Sequence, residues 1–216
     1  MGLDCYDLAG MIWTDRNTHV PDVHVPSNEQ TQYRTYWHVD LAAFGSQQEY
    51  MLKSYFTTQN IHTSCLILWS NGDLSSNEIL AGYLQHYPDA FAFKIVNIPT
   101  LAIGTELEGS ELLCHKDEKA WIDSNLIHLL LLWNYGGVWV DMDSLLMQDL
   151  NPLLKHKFVT QWDCYYKAYQ PFNGALMCFH QHSPYICEAF HIMATRTAPC
   201  ADSTDWGSML YFKLWC

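Results

Sequence analysis

The run Trp133-Asn134-Tyr135-Gly136-Gly137-Val138-Trp139-Val140-Asp141-Met142-Asp143 decides how the chain is read. A helical pattern enters it from upstream and ends at Tyr135. Gly136 stands where a helix commonly ends through a left-handed residue. Val138-Trp139-Val140 is a short apolar strand, and Asp141 and Asp143 arrive at its carboxyl end. In open α/β sheets, ligands bind beyond that end of the strands. If strand geometry continues, both carboxylates face one side. Like charges so close are costly unless a proton or cation lies between them. Hard oxygen donors suit Mg²⁺ or Mn²⁺, which keep positions open for phosphate oxygens. The local inference is a divalent metal, held by Asp141 and Asp143, that holds a phosphorylated ligand. Gly136 and Gly137 permit close backbone approach just before the strand. The plainer alternative is a turn that ends the strand and starts a helix at Ser144.

Working outward, the helix before this run opens at Asp123 or Ser124, with Asn125 and His128 one turn apart on one face. Upstream, residues 45–56 have helical spacing, and Ser64–Trp69 is a buried strand followed by a Ser-Asn-Gly-Asp turn. Ser75 and Glu78 form a capping box that opens a helix to Tyr87. Phe91–Val96 is the next strand. This alternation predicts a βαβ unit and a mainly parallel sheet. Residues 14–35, polar and interrupted by Pro21 and Pro26, read as an irregular arm, and residues 106–119 as a loop. Downstream, residues 157–162 and 175–179 read as strands and 184–194 as a helix opened by Ser183. The expected organisation is an arm over 1–35 and a single α/β domain over 36–216.

Composition narrows the functional classes. The 216 residues carry 11 Lys plus Arg against 23 Asp plus Glu, a formal net charge of -12. No basic stripe offsets that acidity, which excludes a nucleic-acid-binding module. With 49% hydrophobic residues and 9 Trp, the chain is not a disordered one. The eight cysteines include no Cys-x-x-Cys pair, which argues against a zinc ribbon. Residues 1–20 contain no signal peptide, and the longest apolar run, Leu129–Trp133, falls far short of the ~18 residues of a membrane span.

Other chemistries fit less well. An aspartyl phosphatase also begins with an apolar strand and Asp-x-Asp, but wants Thr or Val where Leu145 stands. An EF-hand fails at Ser144, Leu145 and Leu146. Cys178, His180 and His182 would share a strand face near Cys187, a weak candidate metal cluster.

The helix–Tyr-Gly-Gly–strand–Asp-x-Asp pattern resembles the DXD sugar-binding signature of glycosyltransferase family 32 and its relatives, which include mannosyl- and galactosyltransferases and glucosylating toxin domains. The resemblance is strongest over residues 120–152. Pro171–Met177 with His182-Ser183-Pro184 is similar to a later family segment, and Thr204-Asp205-Trp206-Gly207 faintly so. The resemblance implies a GT-A-like fold, a nucleotide-diphosphate sugar donor, a hydroxyl acceptor, Mn²⁺ or Mg²⁺, and retention of anomeric configuration. It makes Asp143 a metal ligand and Asp141 a donor contact that assists the metal. It puts Asn173 near the donor sugar and Trp37 against the nucleobase, although Trp37 also reads as ordinary core. The family's Asp and Arg on the preceding helix are here Asn125 and His128, which keep the geometry and weaken the chemistry. His128 is expected to be partly cationic near pH 7. Nor does a further ligand follow Gly207, so a fragment, a truncated product or a member that binds donor without turnover is the alternative. Relatives are typically anchored Golgi proteins.

Overall fold

The computed structural model describes residues 25–26, 28–116, 118–161, 172–200 and 203–215. Six strands form one sheet: β1 (Thr31–Trp37), β2 (Ser64–Ser70), β3 (Phe91–Ile95), β4 (Gly137–Val140), β5 (Phe158–Gln161) and β6 (Phe172–Phe179). Their order is β3-β2-β1-β4-β6-β5. β1 runs parallel to both β2 and β4, and β2 parallel to β3, whereas β6 is antiparallel to β4 and β5. The expected α/β fold with a mainly parallel central sheet is thus observed.

The helices are α1 (Ser46–Thr58), α2 (Glu78–His86), α3 (Ile98–Leu101), α4 (Trp121–Tyr135), α5 (Pro184–Thr195) and α6 (Ser208–Trp215). Both faces of the sheet are covered, so the inner strands alternate between two cores rather than between core and water. Leu66, Leu68, Val138 and Val140 pack with Met51, Leu52 and Tyr55 of α1. Ile67, Trp69 and Trp139 point the other way, onto α4, α5 and α6 through Leu126, Leu129, Phe190 and Tyr211. Full burial of each such aliphatic side chain is worth ~1.5–3 kcal/mol. The α4 run Leu126–Leu132 is buried throughout, which fixes that helix under the sheet.

Four local expectations are corrected. The irregular reading of residues 14–35 misses β1, a central strand that begins at Thr31, so a boundary at residue 36 cuts through it; residues 1–24 lie outside the described residues. Polar letters disguised the strand: Arg34 is fully buried, with its guanidinium 5.1 Å over the Tyr135 ring and Nη2 donating to the Tyr135 carbonyl at 3.3 Å. Ser75 does not cap α2. Asn77 does, accepting from the Leu80 amide at 3.2 Å, while Ser75 donates to Asp73. α4 starts from Ala120 (φ +53°), which places Asp123 inside the helix rather than at its cap. Gly136 has positive φ as expected, but at φ +61°, ψ -160° it is not left-handed helical; it occupies a region open essentially to glycine alone.

Other elements follow the sequence reading closely. The 106–119 loop contains one short 3₁₀ turn, Glu111–Cys114. β6 is longer than expected, and α3 and α6 carried no recognised start signal. Among the described residues, no helix is long and apolar enough to cross a membrane.

Candidate active site

Parallel β1 and β4 end at the same rim of the sheet, and antiparallel β6 begins there. That topology gathers Trp37, Asp141 and Asn173 from three segments remote in sequence. α4 runs back across the sheet, so its first turns, with Asn125 and His128, reach the same rim. All six residues singled out in the sequence (Trp37, Asn125, His128, Asp141, Asp143 and Asn173) line one cavity of about 680 Å³.

The Asp-x-Asp segment is a turn, not continued strand. β4 stops at Val140, and the Ser144 amide closes the turn by donating to the Asp141 carbonyl at 3.0 Å. The two carboxylates reach the cavity through this turn rather than by strand alternation. Met142 between them is buried in the core and anchors the loop. Asp143 is exposed. Asp141 keeps some surface open to the cavity but is surrounded by protein. Its Oδ1 accepts a 2.6 Å hydrogen bond from Trp139 Nε1, and its amide donates to the Ala175 carbonyl. Burial pushes the Asp141 carboxyl up to about 7; the Trp139 bond opposes that rise and the neighbouring Asp143 charge adds to it.

The twin glycines are a steric necessity. A Cβ on Gly136 would lie 2.5 Å from the Gln181 amide, and one on Gly137 (φ +92°) would collide with the Gln32 carbonyl of β1. The close approach of β4 to β1 therefore depends on Gly137, and that of the preceding turn to the end of β6 on Gly136.

His128 departs from expectation. It is buried, and desolvation pushes its pKa down to about 3, so it is neutral at pH 7 rather than partly cationic. Its Nε2 shares a 2.6 Å hydrogen bond with the hydroxyl of Tyr211 on α6. Gly174 makes room: a Cβ there would sit 2.9 Å from that hydroxyl and 3.3 Å from His128 Cε1. Asn125 packs beside Gly207, where a Cβ would come 3.2 Å from its Nδ2. Asn173 commits its carboxamide oxygen to the Ala175 amide at 2.9 Å, which leaves Nδ2 as its donor for a ligand. Trp37 is half-buried against Phe44, its Nε1 donating to the Ala42 carbonyl at 3.0 Å. Its ring is thereby fixed at the end of β1, partly core and partly cavity wall.

Sequence reasoning missed a second polar pair. His38 Nε2 lies 3.2 Å from Asp123 Oδ2, and both residues are buried. His38 and Tyr36 line the cavity. The pair ties the end of β1 to the first turn of α4, a contact that no local pattern signals. The proposed Cys178, His180, His182 and Cys187 cluster does not form. β6 ends at Phe179, His182 turns at φ +55°, and among the described residues no group of three or more His, Cys, Asp or Glu gathers as a metal site.

The family model for the glycosyltransferase sugar-binding region containing the DXD motif matches residues 4–160. The chain belongs to this family. The match spans Asp141-Met142-Asp143, so the resemblance carried by that segment is borne out and the phosphatase alternative gives way. No curated protein matches the chain. Among solved structures, the chain is similar to the PaToxG glycosyltransferase, at 12% identity over 86% of this chain and 67% of that one, with a TM-score of 0.59. It is also similar to a transferase solved as a mutant, at 15% identity over 85% of each chain, with a TM-score of 0.54. At such identities these likenesses speak for the fold alone. For a DXD glycosyltransferase, two carboxylates on a turn above a cavity are a chemically suitable donor set for a hard divalent cation. They supply only part of its coordination and leave the remainder to ligand oxygens and water.

Proposed function

We propose that this DXD glycosyltransferase moves a hexose from a nucleotide-diphosphate sugar to a hydroxyl acceptor, with retention and with Mn²⁺ or Mg²⁺. The observation that carries the reading is the placement of Asp141 and Asp143 on one turn at the carboxyl end of β4, over a cavity large enough for a nucleotide sugar. The cation, when bound, offsets negative charge that builds on the departing diphosphate. Asp143 and Asp141 are the residues that hold it. Asp141 is oriented for that task by Trp139 and by its amide bond to β6. A cation held there would favour the ionised form of Asp141, against the burial that raises its pKa. Trp37 offers a fixed aromatic surface for the base. Asn173 Nδ2 and the Asn125 carboxamide are uncharged hydrogen-bonding groups for sugar hydroxyls.

A second reading, donor binding without turnover, is favoured by one observation: His128, fully buried and neutral, provides no charge where the DXD pattern has Arg. Incubating the protein with UDP- and GDP-sugars and Mn²⁺, and measuring both binding and release of free sugar, separates the two. Binding with release supports the enzyme. Binding alone supports the second reading. Neither removes both.

A further inference from the structure

Two polar groups at the end of β1 have no part in the cation site. Tyr36 and His38, two residues apart, meet edge to face with ring centroids 6.2 Å apart, and both line the cavity. Tyr36 belongs to the same core as Ile122 and Leu126 of α4. Each of the two is more than nine-tenths buried, at 6% and 9% exposure. Yet the Tyr36 hydroxyl and His38 Nδ1 have no hydrogen-bond partner among the described residues. Leaving one buried polar group unpaired is costly, and two on one cavity wall point to a ligand.

The surroundings decide which ligand chemistry fits. His38 Nε2 lies 3.2 Å from Asp123 Oδ2, so the proton of the neutral ring sits on Nε2 and Nδ1 is left as an acceptor. Asp40 does not use that acceptor: its Oδ2 is 3.9 Å from Nδ1, too far for a hydrogen bond, and accepts from Asn71 Nδ2 at 2.9 Å. Tyr36 is the complementary group. Burial raises its pKa and the Asp123 and Asp40 charges add to the rise, so its hydroxyl stays a donor. The wall therefore presents one donor and one acceptor, with the buried Asp123 carboxylate behind them. A phosphate oxygen answers only the donor and is repelled by Asp123. A sugar hydroxyl both donates and accepts, so it answers both groups.

We propose, resting on the nucleotide-sugar reading above, that Tyr36 and His38 form a subsite for a hexose hydroxyl in the cavity of Asp141 and Asp143. The hydroxyl accepts from the Tyr36 O–H and donates to His38 Nδ1. Asp123 is a positioning residue that holds the His38 ring in the orientation and tautomer this needs. The hydroxyl belongs to the donor hexose or to a saccharide acceptor, and the two sources give different results below.

The test is calorimetry of the full chain with Mn²⁺, comparing UDP with UDP-glucose and GDP with GDP-mannose. Beside it, ligand-observed NMR follows methyl glucoside and methyl mannoside in the presence of Mn²⁺ and the nucleotide diphosphate. Tyr36→Phe and His38→Leu are each expected to weaken hexose binding roughly three- to tenfold, the scale of one neutral hydrogen bond, and to leave UDP and GDP affinity unchanged. A loss confined to the nucleotide sugars assigns the hydroxyl to the donor, and a loss confined to the methyl glycosides assigns it to the acceptor. His38→Asn, which keeps a hydrogen-bonding atom where Nδ1 stands, should recover part of the loss seen in His38→Leu. Asp123→Ala should show the same selective loss, and Asp123→Asn, which still accepts from Nε2, should not. Because the Tyr36 hydroxyl is unpaired in the free protein, Tyr36→Phe should not lower Tm, which keeps the test decisive even if a histidine variant unfolds. Unchanged hexose binding in Tyr36→Phe would overturn the proposal, as would an equal loss of UDP or GDP, which would signal a damaged cavity. A parent protein that binds UDP or GDP but neither form of hexose overturns the subsite and leaves the cation site standing. If the parent binds neither UDP nor GDP, the nucleotide-sugar reading falls, and the subsite with it.

Discussion

His128 Nε2 on α4 and the Tyr211 hydroxyl on α6 lie 2.6 Å apart in a fully buried contact beneath the cavity floor. The bond fixes the C-terminal helix against the helix that carries Asn125. Tyr211→Phe keeps the ring packing but leaves the imidazole nitrogen without its partner. Thermal or urea unfolding should show a loss of roughly 1–3 kcal/mol, the usual penalty for an orphaned buried polar group. A variant as stable as the parent would show that the contact is incidental.

The same histidine sets an acid limit. Its folded pKa of about 3 lies below the ordinary value of 6.5. Between those values the unfolded chain binds a proton that the folded one refuses, so stability falls as pH drops through 6.5 and levels off near 3. His128→Phe should flatten that slope in a pH series of unfolding curves. If the slope persists unchanged, His128 is not its source.

Asp141 acts in the opposite sense. Its folded pKa, raised to about 7 from 3.8, means that the native state holds a proton which the unfolded state has lost. Its contribution is full below 3.8 and is lost as pH rises through 7. Asp141→Asn should therefore raise Tm at pH 8 in metal-free buffer and change it little at pH 4. Each kcal/mol recovered corresponds to roughly 2–4 °C for a chain of this size. Equal effects at both pH values would contradict the assignment.

Gly137 should tolerate no side chain. Gly137→Ala introduces both a strained positive φ and a collision with the Gln32 carbonyl. A loss of at least about 2 kcal/mol is expected, readable as a lower urea midpoint. A neutral Gly137→Ala would mean that β4 need not approach β1 so closely.

What could be read from sequence divides along physical lines. β4 and its Asp-x-Asp were legible because an apolar strand, two glycines and two carboxylates are local signals. Trp37, Asn125, His128 and Asn173 were singled out through the family resemblance, and the observed topology explains why they line one cavity with Asp141 and Asp143. β1 was not legible because Gln32, Arg34 and Thr35 hide a strand that the surrounding elements enclose: Arg34 and Thr35 are fully buried, Arg34 over the Tyr135 ring. The charge state of His128 was misjudged for the same reason: its desolvation comes from tertiary packing, with Trp139 of β4 and Tyr211 of α6 against its ring. The His38–Asp123 pair arises from how β1 and α4 meet, which neither composition nor periodicity records.

The most direct test of the central claim is nucleotide-diphosphate binding by Asp143→Ala, followed by calorimetry with and without Mn²⁺ and checked for folding by circular dichroism. The account predicts that Mn²⁺-dependent binding disappears while the spectrum and Tm remain those of the parent. A folded Asp143→Ala that still binds the nucleotide in a Mn²⁺-dependent way would contradict it.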